Sequence, residues 1–508
     1  MHNPILSTDF YTACSDTFAS ENARQYSLYN LTNRISPKNT NWGVAKDSRM
    51  VFYGIRRFVE EYLTTKITKE HLDEAKAFMA RGHSFGGAIP FNDTIWNRVI
   101  KENNGYLPIH IQAMPEGSVV FPFEPFIKVT AKDGYGELAA HVEARLVGLV
   151  SKSTAVATLL AHWKERIKEQ IRLDLQMVYG KYTEHEVEEV AKWQIHNFGS
   201  RACASESESI SSGLAHLLMF NGTDNTDAAL MAWKYGCHND QATSVIASAH
   251  RNCQAYNNDI DTVRAMARLP NVRIISCVSD CFNFFQAVDD IVQEAKDNPG
   301  IIYVPRPDSD DGLKCIKYII TTAIEQGVYK EHNGFPFPLN VRYIYGDSVS
   351  PAKQTHIDEK LRSQNIPSTL WGIKGVGGYI VNNCTRDTLS SAYKLADCES
   401  GPVVKLSETP DKLSVPGDTT ILRPFYDYSV SLEQNKTLVN YYYPNGIVNT
   451  PEPFWKVSFR AKEEFDMNKE FATNNPDYGL KRTSLSPDII DIQNRFYAKF
   501  RPDDKNSN

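Results

Sequence analysis

None of the nine cysteines belongs to a Cys-x-x-Cys pair, the spacing that a zinc site built from local ligands needs. Cys237-His238 and Cys277/Cys281 come nearest, and they read as buried free thiols. An odd count without pairs suits a reducing cytoplasm better than a disulfide scaffold. No run of Lys and Arg is long enough to bind a polyelectrolyte, and the formal net charge of −6 argues against a nucleic-acid partner. The start, MHNPILSTDF, lacks the basic and apolar regions of a secretion signal, and no stretch reads as a membrane span. These absences point to a cytoplasmic chain that acts on neither nucleic acid nor membrane.

What remains is ordinary globular composition, 42% hydrophobic and 23% charged. At 508 residues the chain exceeds a single core, so more than one domain is expected. Residues 1–150 read as mixed, with strands in ARQYSLYNLTN and GSVVFPFEPFIKVTA and helical spacing at Phe52, Ile55, Phe58 and Tyr62. A long helix is predicted over 151–180.

The chain then becomes rhythmic. Apolar runs end in polar residues at Arg201, Asp224, His250, Asp280, Asp308, Asp347 and Gly377/Gly378, at intervals of 23, 26, 30, 28, 39 and about 30 residues. Helical patterns fill the intervals, among them CFNFFQAVDDIVQEAKD, with apolar Phe282, Phe285, Val288 and Val292, and GLKCIKYIITTAIEQG. In DSVSPAKQTHIDEKL, Ser350 reads as an N-cap and Pro351 as the first helical residue. Strand and helix alternating at this spacing give parallel βα units, and seven approach a (β/α) barrel, whose active site lies at the carboxyl ends of its strands. After 400 the pattern returns to strand-like alternation, and SPDIIDIQNRFYAKF reads as helical. The expected architecture is α/β. An irregular (β/α) barrel of parallel strands occupies 151–399, and a mixed β-rich domain is built from 1–150 and 400–498. Residues 499–508 read as a frayed tail.

Each strand-end residue has a local explanation: Asp280 and Asp308 precede helices and would serve as caps, and His250 as a loop histidine. The set is harder to explain locally. Arg201, Asp224, His250, Asp280, Arg306, Asp308, Arg342 and Asp347 share one mouth if the barrel reading holds, and crowded charges are costly without a charged ligand. Arginines with the glycines of GIKGVGG suit phosphate; the carboxylates suit ribose hydroxyls or magnesium; Phe198 offers a flat face to an aromatic ring. The residues thus indicate a pocket for a phosphorylated sugar and a heterocycle, without giving a reaction.

The motifs STDFYTA, MVFYGIRRFVEEYL, MPEGSVV, TAVAT, FGSR, NGTD, SVIASAH, VSD, RPDS, GDSV and GVGG…TRD resemble, in order and spacing, those of the nicotinamide phosphoribosyltransferases, which are type II phosphoribosyltransferases. The resemblance spans nearly the whole chain. It implies that nicotinamide displaces pyrophosphate from 5-phosphoribosyl-1-pyrophosphate, giving nicotinamide mononucleotide for NAD biosynthesis, with Mg2+ required and ATP as a coupling co-substrate. By the same resemblance Phe198 stacks on the nicotinamide ring and Tyr11 of a second subunit completes the sandwich, which implies a homodimer. Arg201 lies near ring and phosphate, Asp224 accepts from the amide, and Ser276 adds a polar contact. Arg306 and Asp308 meet phosphoryl oxygens, ribose and metal. Gly346, Asp347, Gly377 and Gly378 cradle the ribose and 5′-phosphate, while Arg342, Arg386 and Arg34 surround the phosphates. His250 is the residue phosphorylated by ATP, with Asp280 orienting its ring. The chain departs from the family pattern at Ala249, where Glu usually precedes the histidine, at Ser200, at RPDSDD and at GDS. Ala249 bears on ATP coupling rather than on transfer. Asp310 and Asp311 either weaken polyphosphate binding or hold magnesium. Three rival readings are a nicotinate-specific transferase, a barrel hydrolase using Asp280 and Asp308, and a non-catalytic phosphoribosyl-ligand binding protein.

Overall fold

The computed structural model describes residues 3–82, 86–309, 311–407, 412–422, 429–431, 438–479 and 485–501. The chain forms two compact units, one of Met1–Asn41, Ala45–Thr158 and Cys384–Asn508, the other of Trp42–Val44 and Leu159–Asn383.

In the first unit, strands alternate inward apolar residues with outward polar ones. Ile109, Ile111 and Ala113 on one strand, and Ile127, Val129 and Ala131 on its neighbour, are buried. They belong to a six-stranded sheet in the order Gly401–Pro402, Ala392–Cys398, Ser27–Thr32, Ile127–Ala131, Ile109–Ala113, Val439–Tyr442. Every pairing in it is antiparallel. The single strand read in GSVVFPFEPFIKVTA is two, because prolines 122 and 125 lack the ladder N–H; Val119–Val120 pairs with Met50–Val51 instead. The helix read through Phe52 begins at Ile55 and runs into a π-turn, Val59–Leu63.

Two helices lie between the tyrosine-rich stretch and the last helix, within the domain expected to be β-rich and where the sequence reading placed no element. Phe454–Met467 buries Phe454, Val457, Ala461 and Phe465 at helical spacing, and Lys469–Asn474 follows it. Pro487–Phe500 is helical as expected and takes in the first two residues of the tail read as frayed; residues 502–508 of that tail lie outside the described residues. Strands Thr420–Leu422 and Ser429–Ser431 pair, while the rest of the tyrosine-rich stretch from 423 to 437 lies outside them.

The long helix is Glu143–Tyr179, eight residues earlier at its start than expected. It is long and apolar enough to cross a membrane by length and composition, with mean hydropathy 1.3 over its most apolar window, contrary to the sequence reading. Of that window 72% is buried within the protein, so its apolar residues already have a core to cover them.

The second unit is built from parallel pairing. Ile195–Asn197 pairs with Gly372–Val376, which pairs with Tyr343–Tyr345. Val341 bridges Tyr303 of Ile302–Arg306, which pairs with Ile274–Val278, which pairs with Ile246–Ala247. Thr243 bridges Gly222, and Thr223 bridges Asn197, so the succession returns to its first strand. LLMFNGTD contributes only those two bridging residues, because the helix Glu206–Leu217 already takes up its start. Helices Phe284–Asp297, Gly312–Glu325 and Pro351–Arg362 connect the strands, and Ser350 caps the last by accepting from Lys353 N at 3.2 Å. Phe282 precedes its helix and is exposed, and Phe285 is exposed on it; Ala287, Val288, Ile291, Val292 and Ala295 form the buried stripe. The one long interval, 39 residues, holds an inserted hairpin, Tyr329–His332 with Phe335–Pro338.

Candidate active site

The polar residues that follow the parallel strands do not act as helix caps; their neighbours do. Asn283 Oδ1 accepts from Gln286 N at 3.3 Å, Asp311 Oδ1 from Leu313 N at 2.9 Å, and Asn225 Oδ1 from Ala228 N at 3.1 Å. Asp280, Asp308 and Asp224 are thereby released from the commonest structural role of a carboxylate in that position.

Asp280 joins three strand ends. Its Oδ1 lies 3.1 Å from His250 Nε2, while Oδ2 accepts from the Asp308 amide at 2.9 Å and the Ser309 hydroxyl at 2.6 Å. Its side chain is 6% exposed against 44% for His250, so the carboxylate is a fixed acceptor that holds an accessible imidazole. Asp308 itself is exposed. Loss of water around its carboxyl, then the charge of Asp280, raises its pKa above the ordinary value, against the lowering effects of Arg306, His250 and Arg201. Gly346 is what lets it sit there, because a Cβ at 346 would come within 2.7 Å of Asp308 Oδ1. Arg306 donates to the Ser248 carbonyl, and its guanidinium lies 5.6 Å from the centre of the Phe198 ring.

Phe198 follows Ile195–Asn197, and Gly375 on the adjacent strand makes room for it: a Cβ there would meet the ring at 2.7 Å. The His196 ring packs 4.9 Å from that of Phe198. His196 Nε2 lies 3.0 Å from Asp224 Oδ1, which also accepts from the Ser244 hydroxyl at 2.5 Å. Burial pushes the Asp224 pKa up, but these two hydrogen bonds and the charges of His196 and Arg306 bring it below the ordinary carboxylate value. Asp224 therefore stands as an anion, linked through the His196 ring to the Phe198 face. Ser276 is 1% exposed, and its hydroxyl has no partner among the described residues. At the end of Tyr343–Tyr345, Asp347 Oδ1 accepts from Ser348 at 2.9 Å, and Lys353 donates to its carbonyl at 2.8 Å and to Oδ2 at 3.3 Å. Gly377 and Gly378 lie against the 198–202 turn: a Cβ at 199 would meet the Gly377 carbonyl at 3.2 Å, and one at 378 would meet Ala202 at 3.5 Å. Arg201 on that turn is exposed.

Arg342 departs from the expected cluster. Its guanidinium donates to the carbonyls of Leu339 (3.2 Å) and Val341 (3.0 Å), which precede Tyr343–Tyr345, and burial lowers its pKa. It is turned back toward the amino end of the strand, away from Gly346 and Asp347. Tyr11, Arg34 and Arg386 belong to the first unit. Tyr11, in the helix Phe10–Ser15, is 66% exposed. Arg34 and Arg386 both act on Lys394: burial first, and then the positive charges of Arg34, Lys405 and Arg386, hold its ammonium below the ordinary lysine value, with Glu143 opposing. Asp310 lies outside the described residues. No disulfide joins the described cysteines; burial pushes Cys277 up to about 12, as expected of an inert core thiol, whereas Cys237 and Cys281 are only half-buried.

Three participants escaped the sequence reading: His196, Ser244 and Lys353. The alternation in QIHNFGSR marked Phe198 and Arg201, but a histidine inside a strand reads as core, and the other two sit in an exposed loop and within a helix.

Comparison with known proteins finds two family models that match separate stretches of the chain. The model of the Nicotinate phosphoribosyltransferase (NAPRTase) family matches residues 193–429, and that of the Nicotinamide phosphoribosyltransferase, N-terminal domain, matches residues 5–111. The chain is 27% identical over 354 residues to a protein from Xanthomonas campestris pv. campestris named nicotinamide phosphoribosyltransferase, covering 68% of this chain and 72% of the relative. It is 27% identical over 428 residues to one of the same name from Acinetobacter baylyi, covering 77% and 81%. Among solved structures, nicotinate-nucleotide pyrophosphorylase from Pyrococcus furiosus superposes with TM-score 0.60 at 16% identity over 92% of this chain and 96% of the other. Human nicotinic acid phosphoribosyltransferase gives 0.58 at 13% identity over 96% and 99%. At those identities the structural likeness speaks to the mixed α/β fold alone.

Proposed function

We propose that the chain belongs to the nicotinate and nicotinamide phosphoribosyltransferase family, two of whose models match it over residues 5–111 and 193–429, and that it is a pentosyltransferase making nicotinamide mononucleotide and pyrophosphate from nicotinamide and 5-phosphoribosyl-1-pyrophosphate. We read the returning succession of parallel strands as an irregular (β/α) barrel, with the substrates at its carboxyl-end mouth. The observation that carries the reading is the ionised Asp224 carboxylate held by His196, whose ring packs on Phe198. Both of its contacts fall on Oδ1, leaving Oδ2 to accept an amide N–H. An acid in place of the amide would bring a second anion to that oxygen.

The chemistry asks little proton work of the protein. The pyridine nitrogen lone pair forms a bond to C1 of the ribose as the C1–O bond to pyrophosphate breaks, and positive charge passes to the ring. Positioning and electrostatics then carry the rate. Phe198 holds the ring; Arg201 and Arg306 meet phosphoryl oxygens; Asp347, with Gly346, takes ribose hydroxyls; Gly377 and Gly378 leave the backbone open to the 5′-phosphate. The orphan hydroxyl of Ser276 supplies a further polar contact for the base.

Asp308 fits Mg2+. The residue is exposed and crowding makes its unpaired charge unfavourable, while both oxygens of Asp280 are already engaged. One protein carboxylate suits an ion that keeps waters and phosphate oxygens as its other ligands. When bound, the ion neutralises charge on the leaving pyrophosphate. His250, accessible and oriented by Asp280, is the residue for ATP to phosphorylate, and Ala249 before it removes the carboxylate that usually accompanies the family histidine. The exposed Tyr11 supports a homodimer in which it completes the ring sandwich of the other subunit, and the basic group of Arg34, Arg386 and Lys394 supports phosphate binding. A cytoplasmic location agrees with the lack of disulfides among the described residues.

The hydrolase reading fails on Asp280, whose oxygens are occupied by three donors and cannot serve as half of an acid/base pair. The test offers nicotinamide and nicotinate in parallel to the enzyme with 5-phosphoribosyl-1-pyrophosphate and Mg2+. Mononucleotide from nicotinamide alone is expected. Product from nicotinate would keep the transferase and overturn the role of Asp224; product from neither would favour the binding-protein reading.

A further inference from the structure

The carboxylate that reads the amide is itself held in place. His196 is 6% exposed, and its ring is confined on two sides: the Phe198 ring packs 4.9 Å away, and a Cβ on Gly222 would come within 2.6 Å of Nδ1. The imidazole therefore has no room to swing. Its Nε2 meets Asp224 Oδ1 at 3.0 Å, and because a carboxylate there only accepts, the proton must sit on Nε2. Asp224, by contrast, stands on a turn with its side chain 34% exposed. Its nearby cation is Arg306, whose guanidinium lies over Phe198.

We propose that His196 is the positioning residue that sets base selectivity, by holding Asp224 Oδ1 so that Oδ2 faces the amide rather than turning onto Arg306. Without this contact, attraction between the two charges draws the carboxylate toward the guanidinium. That movement removes the amide acceptor and shifts the cation from the ring face at once. Ser244 makes the second hold on Oδ1 from an exposed loop, so it contributes in the same direction with less effect. The inference deepens the transferase reading given above and rests on it.

The test compares His196→Leu, His196→Gln and Ser244→Ala with wild type, measuring kcat and KM for nicotinamide, nicotinate and 5-phosphoribosyl-1-pyrophosphate. Leucine is expected to raise KM for nicotinamide by about tenfold or more, to leave KM for the phosphoribosyl donor within about twofold, and to lower the nicotinamide-to-nicotinate ratio of kcat/KM by about tenfold. Glutamine, which keeps an N–H donor, should restore much of the ratio, and Ser244→Ala should move it the same way by a smaller factor. Should the leucine variant fail to fold, the other two carry the test. The inference is overturned if the ratio stays unchanged in folded variants, or if both substrates' KM values rise together with no rescue by glutamine. A wild-type protein that makes no mononucleotide from either base would overturn the transferase reading itself, a distinct result.

Discussion

Replacing Asp224 by Asn tests the selectivity argument at its centre, because the two side chains have nearly the same shape. His196 Nε2–H and the Ser244 hydroxyl both need an acceptor at the Oδ1 position, so the Asn carbonyl takes that place and its NH2 replaces Oδ2. A donor then faces the base where an anion stood. For nicotinate, the lost repulsion between two carboxylates about 4 Å apart is about 4 kcal/mol at an effective dielectric of about 20, and about 1 kcal/mol in water. Asp224 is about one-third exposed, which places the effect at about 1–3 kcal/mol, a roughly 5- to 150-fold gain for nicotinate over nicotinamide. Steady-state kcat/KM for both bases, measured on a variant whose melting temperature matches wild type, reads this directly. A ratio within twofold of wild type would refute the charge argument.

Gly375→Ala places a Cβ 2.7 Å from the Phe198 ring; the expected result is a KM for nicotinamide raised by about tenfold and a stability loss of about 1–3 kcal/mol by urea titration. His250→Ala should abolish ATP stimulation and acid-labile phosphate incorporation while leaving basal transfer measurable, as compared with and without ATP. His141 and His216 are both fully buried, and burial lowers them from about 6.5 to about 4 and about 3. Because the unfolded chain takes up the proton first, their contribution to stability is fully present above about pH 6.5 and is lost as pH falls toward those values. Each loses up to about 1.4 kcal/mol per pH unit, so urea midpoints should drop between pH 7 and 5, and His216→Asn should flatten part of that slope.

The parallel unit was legible because its strands are short apolar runs ending in charge, and its helices carry their own caps: Ser350-Pro351 announces a start by chemistry alone. Where a strand shrinks to Ile246–Ala247, both exposed, or to the bridging pair Gly222 and Thr223, no local pattern distinguishes it from loop. The helix Phe454–Met467 was hidden by aromatic residues that suit strands as well, behind prolines 451 and 453. Arg342 shows a different limit. Its place near the end of a strand was readable, but which way a long side chain turns depends on carbonyls three residues back. His196 was missed because its importance is relational: only the fold sets it against Asp224.

The six-stranded sheet of the first unit has a consequence for the order of events in time. Thr32 pairs with Ala392, so 360 residues separate one strand from its ladder partner, and Val439 reaches back to Ala113 in the same way. At about 5–20 residues per second, ribosomal synthesis leaves Ser27–Thr32 without that neighbour for roughly 20–70 s. The Leu159–Asn383 stretch, contiguous in sequence, can complete its own pairings within that interval. The nascent chain thus carries a strand with an open edge while its later half is still being made, and open edges recruit other chains. Protection of that edge during translation is therefore a demand this fold makes on the cell that produces it.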